Sequence, residues 1–230
     1  TLFKTSLDTF FNERVSPGYK DLLLSKANVL SEQLAQHILN FEKPFQELCQ
    51  PQKRWIEAPF EIERAQRKFV GKIDRVDFLN ATDFFVWDYK TGVTTGTPQN
   101  QIKKGKVQLW SYIYAVKAKI PDFNFLGGGY LNPLAPEKSI LYLSDTLAAP
   151  IKLSLEALFE SQGHPYRVLS QGDVAALLES CEERLKSVEL VLNEKVFHPK
   201  PESNSECSRC SVSSVCGRPY LIEDTSDSAE

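Results

Sequence analysis

A chain of 230 residues is long enough for one large domain, or a domain with a small appendage. Its apolar content is ordinary, and no run approaches the roughly eighteen residues of a membrane span, so no membrane association is expected. A net charge of −3 argues against a generally basic nucleic-acid binder but leaves room for local basic patches. No secretory signal pattern is visible. The five cysteines are an odd number, and Cys207, Cys210 and Cys216 crowd together. That usage points to metal ligation in a reducing, cytoplasmic compartment more than to a disulfide framework. Methionine is absent, even at position 1. Its absence is what is expected if modified methionines are missing from the sequence or if the segment starts inside a longer protein.

In chain order, residues 1–50 read as helical. Ser6-Leu7-Asp8-Thr9-Phe10-Phe11 resembles a capped helix opening, and Asp21 to Leu48 carries apolar residues at helical spacing, from Leu22 and Leu23 to Phe41 and Phe45. Trp55 to Glu63, Lys68 to Leu79 and Phe84 to Lys90 read as three strands, the first two joined by the charged turn 64–67. A polar loop, Gly92 to Asn100, and a basic run, Lys103 to Lys106, precede a helix from Val107 to Ala118. Phe123 to Leu131 and Ser139 to Leu143 read as further strands around an Asn132-Pro133 turn. A short helix is expected at Ser154–Ser161 and a long amphipathic one, capped by Asp173, from Asp173 to Glu194. From Phe197 the chain is rich in Pro, Ser and Cys. Residues 218–230 are polar and acidic and read as disordered. Three successive strands imply an antiparallel meander, and the helix before the fourth permits a parallel crossover. The expected fold is α/β, a mixed central sheet with helices on both faces.

Chemistry concentrates in the second and third strands. Gly71-Lys72-Ile73-Asp74-Arg75-Val76-Asp77 is followed by the apolar run 84–87, which ends in Asp88-Tyr89-Lys90. Carboxylates at the ends of core strands are costly unless paired or ligated. Strand alternation puts Asp88 and Lys90 on one side, and hairpin pairing can bring Asp74 beside them. Two acids and an ammonium at a strand end suit a hard divalent cation, Mg²⁺ or Mn²⁺, with the Tyr89 carbonyl as a third oxygen ligand. A water on such an ion has a lowered pKa and can attack phosphorus, and Lys90 can orient it and stabilise phosphate charge. The plain alternative is a salt bridge between Lys90 and Asp74 or Asp88. His37 falls on the turn with Leu34 and Ile38, and spacing alone favours a partly buried polar residue. The basic run is either a solvated loop or a sequence-independent phosphate contact. Trp110 and Tyr114 read as core, as does Cys181.

The segment 71–77, Asp88-Tyr89-Lys90-Thr91-Gly92 and Gln108-Leu109-Trp110-Ser111-Tyr112, in this order, resemble the PD-(D/E)XK nuclease superfamily. The likeness is to its RecB-like branch, which includes AddB-type subunits and CRISPR-associated nucleases. The resemblance spans about residues 30–217. It implies that His37, Asp74, Asp88 and Lys90 form the metal and catalytic set, beside the Tyr89 carbonyl already considered as a metal ligand, and that Gln108 and Tyr112 face the site from their helix and position substrate. It also implies one nuclease domain over 1–217, comprising a helical region (1–50), a core (51–195) and a Cys-rich staple (196–217). The implied activity is metal-dependent hydrolysis of DNA, as an exonuclease in repair, recombination or foreign-DNA processing. The implied partners are DNA and the helicase or other subunits of a repair or CRISPR-type complex. Two rival readings are a catalytically silent nucleic-acid-binding or scaffold domain and a hydrolase of another phosphodiester.

Cys207-x2-Cys210-x5-Cys216 is similar to the C-terminal staple of iron–sulfur RecB-like nucleases. There the remaining ligand of the [4Fe–4S] cluster precedes the histidine, whereas here the first cysteine, Cys49, follows His37. Cys49 or an upstream residue can complete a cluster, or His198 can complete a zinc site instead.

Overall fold

A computed structural model describes residues 17–64, 67–92, 97–103 and 106–194. The chain divides into two compact units, Thr1–Leu185 and Lys186–Glu230. The second is described only as the end of a helix, so the fold below is that of the first. The expected helix opening at Ser6–Phe11, the segment with Cys207, Cys210 and Cys216, and the acidic tail lie outside the described residues.

The predicted single helix from Asp21 to Leu48 is in fact three pieces. Helix α1 runs Pro17–His37, a π-helical turn spans Ile38–Glu42, and α2 covers Lys43–Cys49. Pro44 explains the break, because it lies in the first turn of α2 and lacks the N–H that an unbroken ladder needs. The Lys43 N–H instead reaches back to the Ile38 carbonyl, which closes the wider turn. Gln50, left-handed at φ 45°, ends α2.

Six strands follow in a sheet whose spatial order is the chain order: β1 (Lys53–Arg64), β2 (Arg67–Phe78), β3 (Asp83–Tyr89), β4 (Asn124–Leu131), β5 (Ile140–Ser144) and β6 (Tyr166–Leu169). β1 to β3 form the antiparallel meander. β3 and β4 are parallel, joined through α3 (Pro98–Lys103) and α4 (Gln108–Lys119). β4 and β5 are antiparallel, β5 and β6 parallel across α5 (Ala149–Ser161). Helix α6 (Gln171–Glu194) follows. The sheet is mixed and helix-flanked, as expected. Helix α3 begins inside the predicted polar loop, and α5 starts five residues earlier than predicted, behind Pro150. β6 has no counterpart among the predicted strands. It has four residues, two of them exposed, too few for a period to register.

Alternation along β3 builds both cores. Phe84 and Val86 pack into a layer with Leu109, Trp110 and Ile113 of α4 and Leu177 and Cys181 of α6. Phe85 and Trp87 pack into the opposite layer with Phe41, Phe45 and Cys49, and with Leu155 and Phe159 of α5. Trp110 is therefore core, Tyr114 packs at the edge of the same layer, and Cys181 is buried there. On β2 the first layer receives both Ile73 and Val76, a change of parity. The change falls opposite Glu57, whose φ is 50°. From Asp74 onward plain alternation holds, Asp74 sharing the phase of Val76 and Phe78, and Arg75 that of Asp77.

The second layer also buries His164, whose ring meets Phe41 and Phe159 and whose Nδ1 lies 3.2 Å from the Pro136 carbonyl. Burial, then the nearby His37, push its pKa down to about 4. Its unfolded value is near 6.5, so the unfolded chain binds more protons between these limits. Stability should therefore fall as pH drops from about 6.5 towards 4, by about 3 kcal/mol in total. Urea midpoints at pH 7 and pH 5 test this. His164→Leu should flatten the slope in that window, and an unchanged slope would refute the assignment.

Candidate active site

The C-terminal end of β3 is where the predicted residues meet. Asp88 shares the phase of Phe84 and Val86 and so faces α4. It is fully buried. Lys90 Nζ lies 2.6 Å from Asp88 Oδ2 and donates to Gln108 Oε1 at 2.7 Å. Gln108 Nε2 donates to the Tyr112 hydroxyl at 2.6 Å, the two lying one turn apart on α4. Tyr112 in turn donates to Asp74 Oδ1 at 3.3 Å, and the Tyr89 N–H donates to Asp74 Oδ2 at 2.9 Å. The Lys90 N–H bonds the Leu131 carbonyl at 2.9 Å, fixing the strand exit against β4. Asp74, Asp88, Lys90, Gln108 and Tyr112 thus form one chain of polar contacts.

Burial raises the Asp88 pKa, the Asp74 charge adds to the effect, and Lys90 opposes it. Burial and the two aspartates likewise raise the Tyr112 phenol, so it remains a donor at neutral pH. Lys90 approaches Asp88 as a charge, yet among the described residues no well-directed hydrogen bond reaches either Asp88 oxygen. Two buried carboxylate oxygens with lone pairs to spare, beside a second carboxylate, fit a hard cation such as Mg²⁺ or Mn²⁺.

His37 does not join this group. Its Nε2 lies 3.4 Å from Glu42 Oε1, and its ring stacks on Phe41 in the opposite layer. Among the described residues, no three His, Cys, Asp or Glu side chains are already gathered to hold a metal. Asp77 is also separate. It is fully buried and held by Arg54 Nε at 2.5 Å, Arg75 Nε at 2.8 Å and the Trp87 indole N–H at 2.9 Å. Sequence reasoning passes over Arg75, Glu42 and Arg54. An arginine between two aspartates in an otherwise apolar strand is the available signal, since such a charge must find a partner.

A family model of the PD-(D/E)XK nuclease superfamily matches residues 4–217. The chain belongs to that superfamily. PD-(D/E)XK proteins are typically nucleases, phosphodiesterases that use Mg²⁺ or Mn²⁺. A solved structure titled "Crystal structure of SSO0001" is 16% identical, the match covering 92% of this chain and 80% of that one, with a TM-score of 0.32. No curated protein matches the chain. Among the described residues, no helix of this PD-(D/E)XK chain is long and apolar enough to cross a membrane.

Cys49 shares its core layer with Phe45, Phe85 and Trp87, and burial, helped by the Asp77 charge, pushes its thiol up to about 12. Those surroundings do not suit a metal-bound thiolate. His198 and the other three cysteines of the expected iron–sulfur or zinc site lie outside the described residues. Of the basic run, Lys103 ends α3 and Lys106 is exposed.

Proposed function

We propose that this chain is a metal-dependent deoxyribonuclease, acting as an exonuclease in DNA repair, recombination or foreign-DNA processing beside helicase-type subunits. The observation that carries the reading is the contact chain Asp88–Lys90–Gln108–Tyr112–Asp74 in a member of a nuclease superfamily. Asp74, Asp88 and the Tyr89 carbonyl are the proposed holders of Mg²⁺ or Mn²⁺, with His37 joining only if it leaves its contact with Glu42. When bound, the ion supplies charge for the phosphate oxygens and lowers the pKa of a water. The protein supplies the rest. Asp74 is oriented by the Tyr112 hydroxyl and the Tyr89 N–H. Gln108 holds the Lys90 ammonium at the mouth of the site, where it can orient the attacking water and stabilise the developing phosphate charge. Exposed Lys106, just before α4, offers a phosphate contact that positions DNA without reading its sequence.

The test is incubation of end-labelled single- and double-stranded DNA with Mn²⁺ or Mg²⁺. Metal-dependent release of nucleotides is expected, and Lys90→Ala should slow it by about 10²-fold or more. Equal loss of substrate with the wild type and Lys90→Ala would defeat the reading. Cutting confined to RNA or to cyclic dinucleotides would replace the substrate class.

A further inference from the structure

The opposite side of the same hairpin carries a second polar assembly, outside the contact chain that ends at Asp74. Arg75 is almost fully buried. Its Nη1 reaches both Glu42 oxygens at 2.7 Å and the Tyr89 hydroxyl at 2.8 Å. Its Nε and Nη2 meet Asp77, and its guanidinium lies 5.9 Å from the Phe45 ring and 6.0 Å from the Trp87 ring. The Tyr89 hydroxyl lies 3.3 Å from Glu42 Oε1 and donates to it. Glu42, the last residue of the π-helical turn, also contacts His37, the residue just before it. Burial alone would raise the Glu42 pKa. The close approach of His37 and the Arg75 charge overcome this and hold it down at about 2.

Tyr89 is the hinge between the two assemblies. Its side chain is held by Arg75 and Glu42, while its backbone N–H holds Asp74. We infer that Glu42, Arg75 and the Tyr89 hydroxyl form a clamp that positions the Tyr89 backbone, and through it Asp74, for cation binding. The inference rests on the nuclease reading and deepens it. The three are positioning residues, because none reaches the Asp88–Lys90 pair directly. Two points favour a clamp over simple core stabilisation. Arg75 is already paired with Asp77 on the same strand, so the fork to Glu42 and Tyr89 is additional. The π turn, a device frequent at functional sites, brings Glu42 into its place beside His37.

The experiment is Mn²⁺ titration of the full chain, followed by the electron paramagnetic resonance of free ion, with urea midpoints in parallel. Arg75→Lys would disturb the buried Asp77 pair, so the informative variants are Tyr89→Phe and Glu42→Gln. Tyr89 is partly exposed, and its phenylalanine variant loses only the hydroxyl. Each variant should weaken Mn²⁺ binding by about tenfold, with the Tyr89→Phe urea midpoint unchanged. The double variant should lose little more than either single one, because both break the same clamp. Wild-type affinity in both single variants, or additive losses in the double, would overturn the clamp while leaving the nuclease reading intact. A wild-type protein that neither binds Mn²⁺ nor cuts DNA would remove both. If Asp88→Asn abolishes binding while Tyr89→Phe does not alter it, only the clamp fails.

Discussion

Asp88→Asn is expected to cut metal-dependent DNA cleavage by about 10³-fold while leaving the folded protein at least as stable as the wild type. The two halves share one cause. Asp88 is fully buried at the end of an apolar strand, and among the described residues its close charge partner is Lys90, itself a third exposed. An ionised carboxylate there is incompletely compensated, which is why burial raises its pKa. A raised folded-state value means that the ionised form subtracts from stability above that pKa. Asparagine keeps the shape and removes the charge, so the cost disappears. The carboxylate is retained, on this reading, for what its free oxygens bind. Lys90 keeps its bond to Gln108 in the variant and is not stranded. Thermal melts beside nuclease assays check the claim. A lowered melting temperature, or cleavage within about tenfold of the wild type, would sink it.

Gly128→Ala should yield no folded protein, a loss above about 4 kcal/mol. Gly128 lies at the centre of β4, paired with Val86 of β3 on one side and Tyr142 of β5 on the other. Its φ is +131°, a conformation that L residues rarely adopt. A Cβ there would overlap the Val86 carbonyl oxygen. The obstacle is main chain inside a paired sheet, so no rotamer change relieves it. Val86 sits two residues before Asp88, so a displaced β3 would carry the site with it. Gly163→Ala is the control. Its φ is +70°, but an added methyl group would meet only open space, so the cost should stay near about 1 kcal/mol. Urea unfolding of the two variants, or their soluble yields, separates them. A soluble Gly128→Ala protein with a wild-type melt would show that β4 does not approach β3 this closely.

Several determinants are legible in the chain itself. Alternating runs at 55–63 and 68–79 and the apolar run from 84 specify the meander, because strands buried on a face must alternate or be wholly apolar. The Asp-x-Lys ending on β3 places Asp88 and Lys90 on one side through backbone geometry alone. Gln108 and Tyr112, four residues apart on a helix, have to share a face. The Gly127–Gly129 stretch reads through as strand, since apolar residues flank it on both sides, and strand it is.

Tertiary structure decided the rest. Helical spacing from Asp21 to Leu48 could not reveal the π turn, because one wide turn shifts the phase only slightly and its effect is felt in which side chains meet. His37 therefore pairs with Glu42 instead of lying beside Asp88. Asp74 and Asp77, three residues apart, fall on opposite faces by alternation, but one dimension does not say which face meets which layer. Packing puts Asp74 against Tyr112 of α4, while Asp77 is met by Arg75, Arg54 and Trp87 on the other face. Local pattern determines where charges fall along a strand. Which partner each charge meets depends on what the layers on either side of the sheet bring to it.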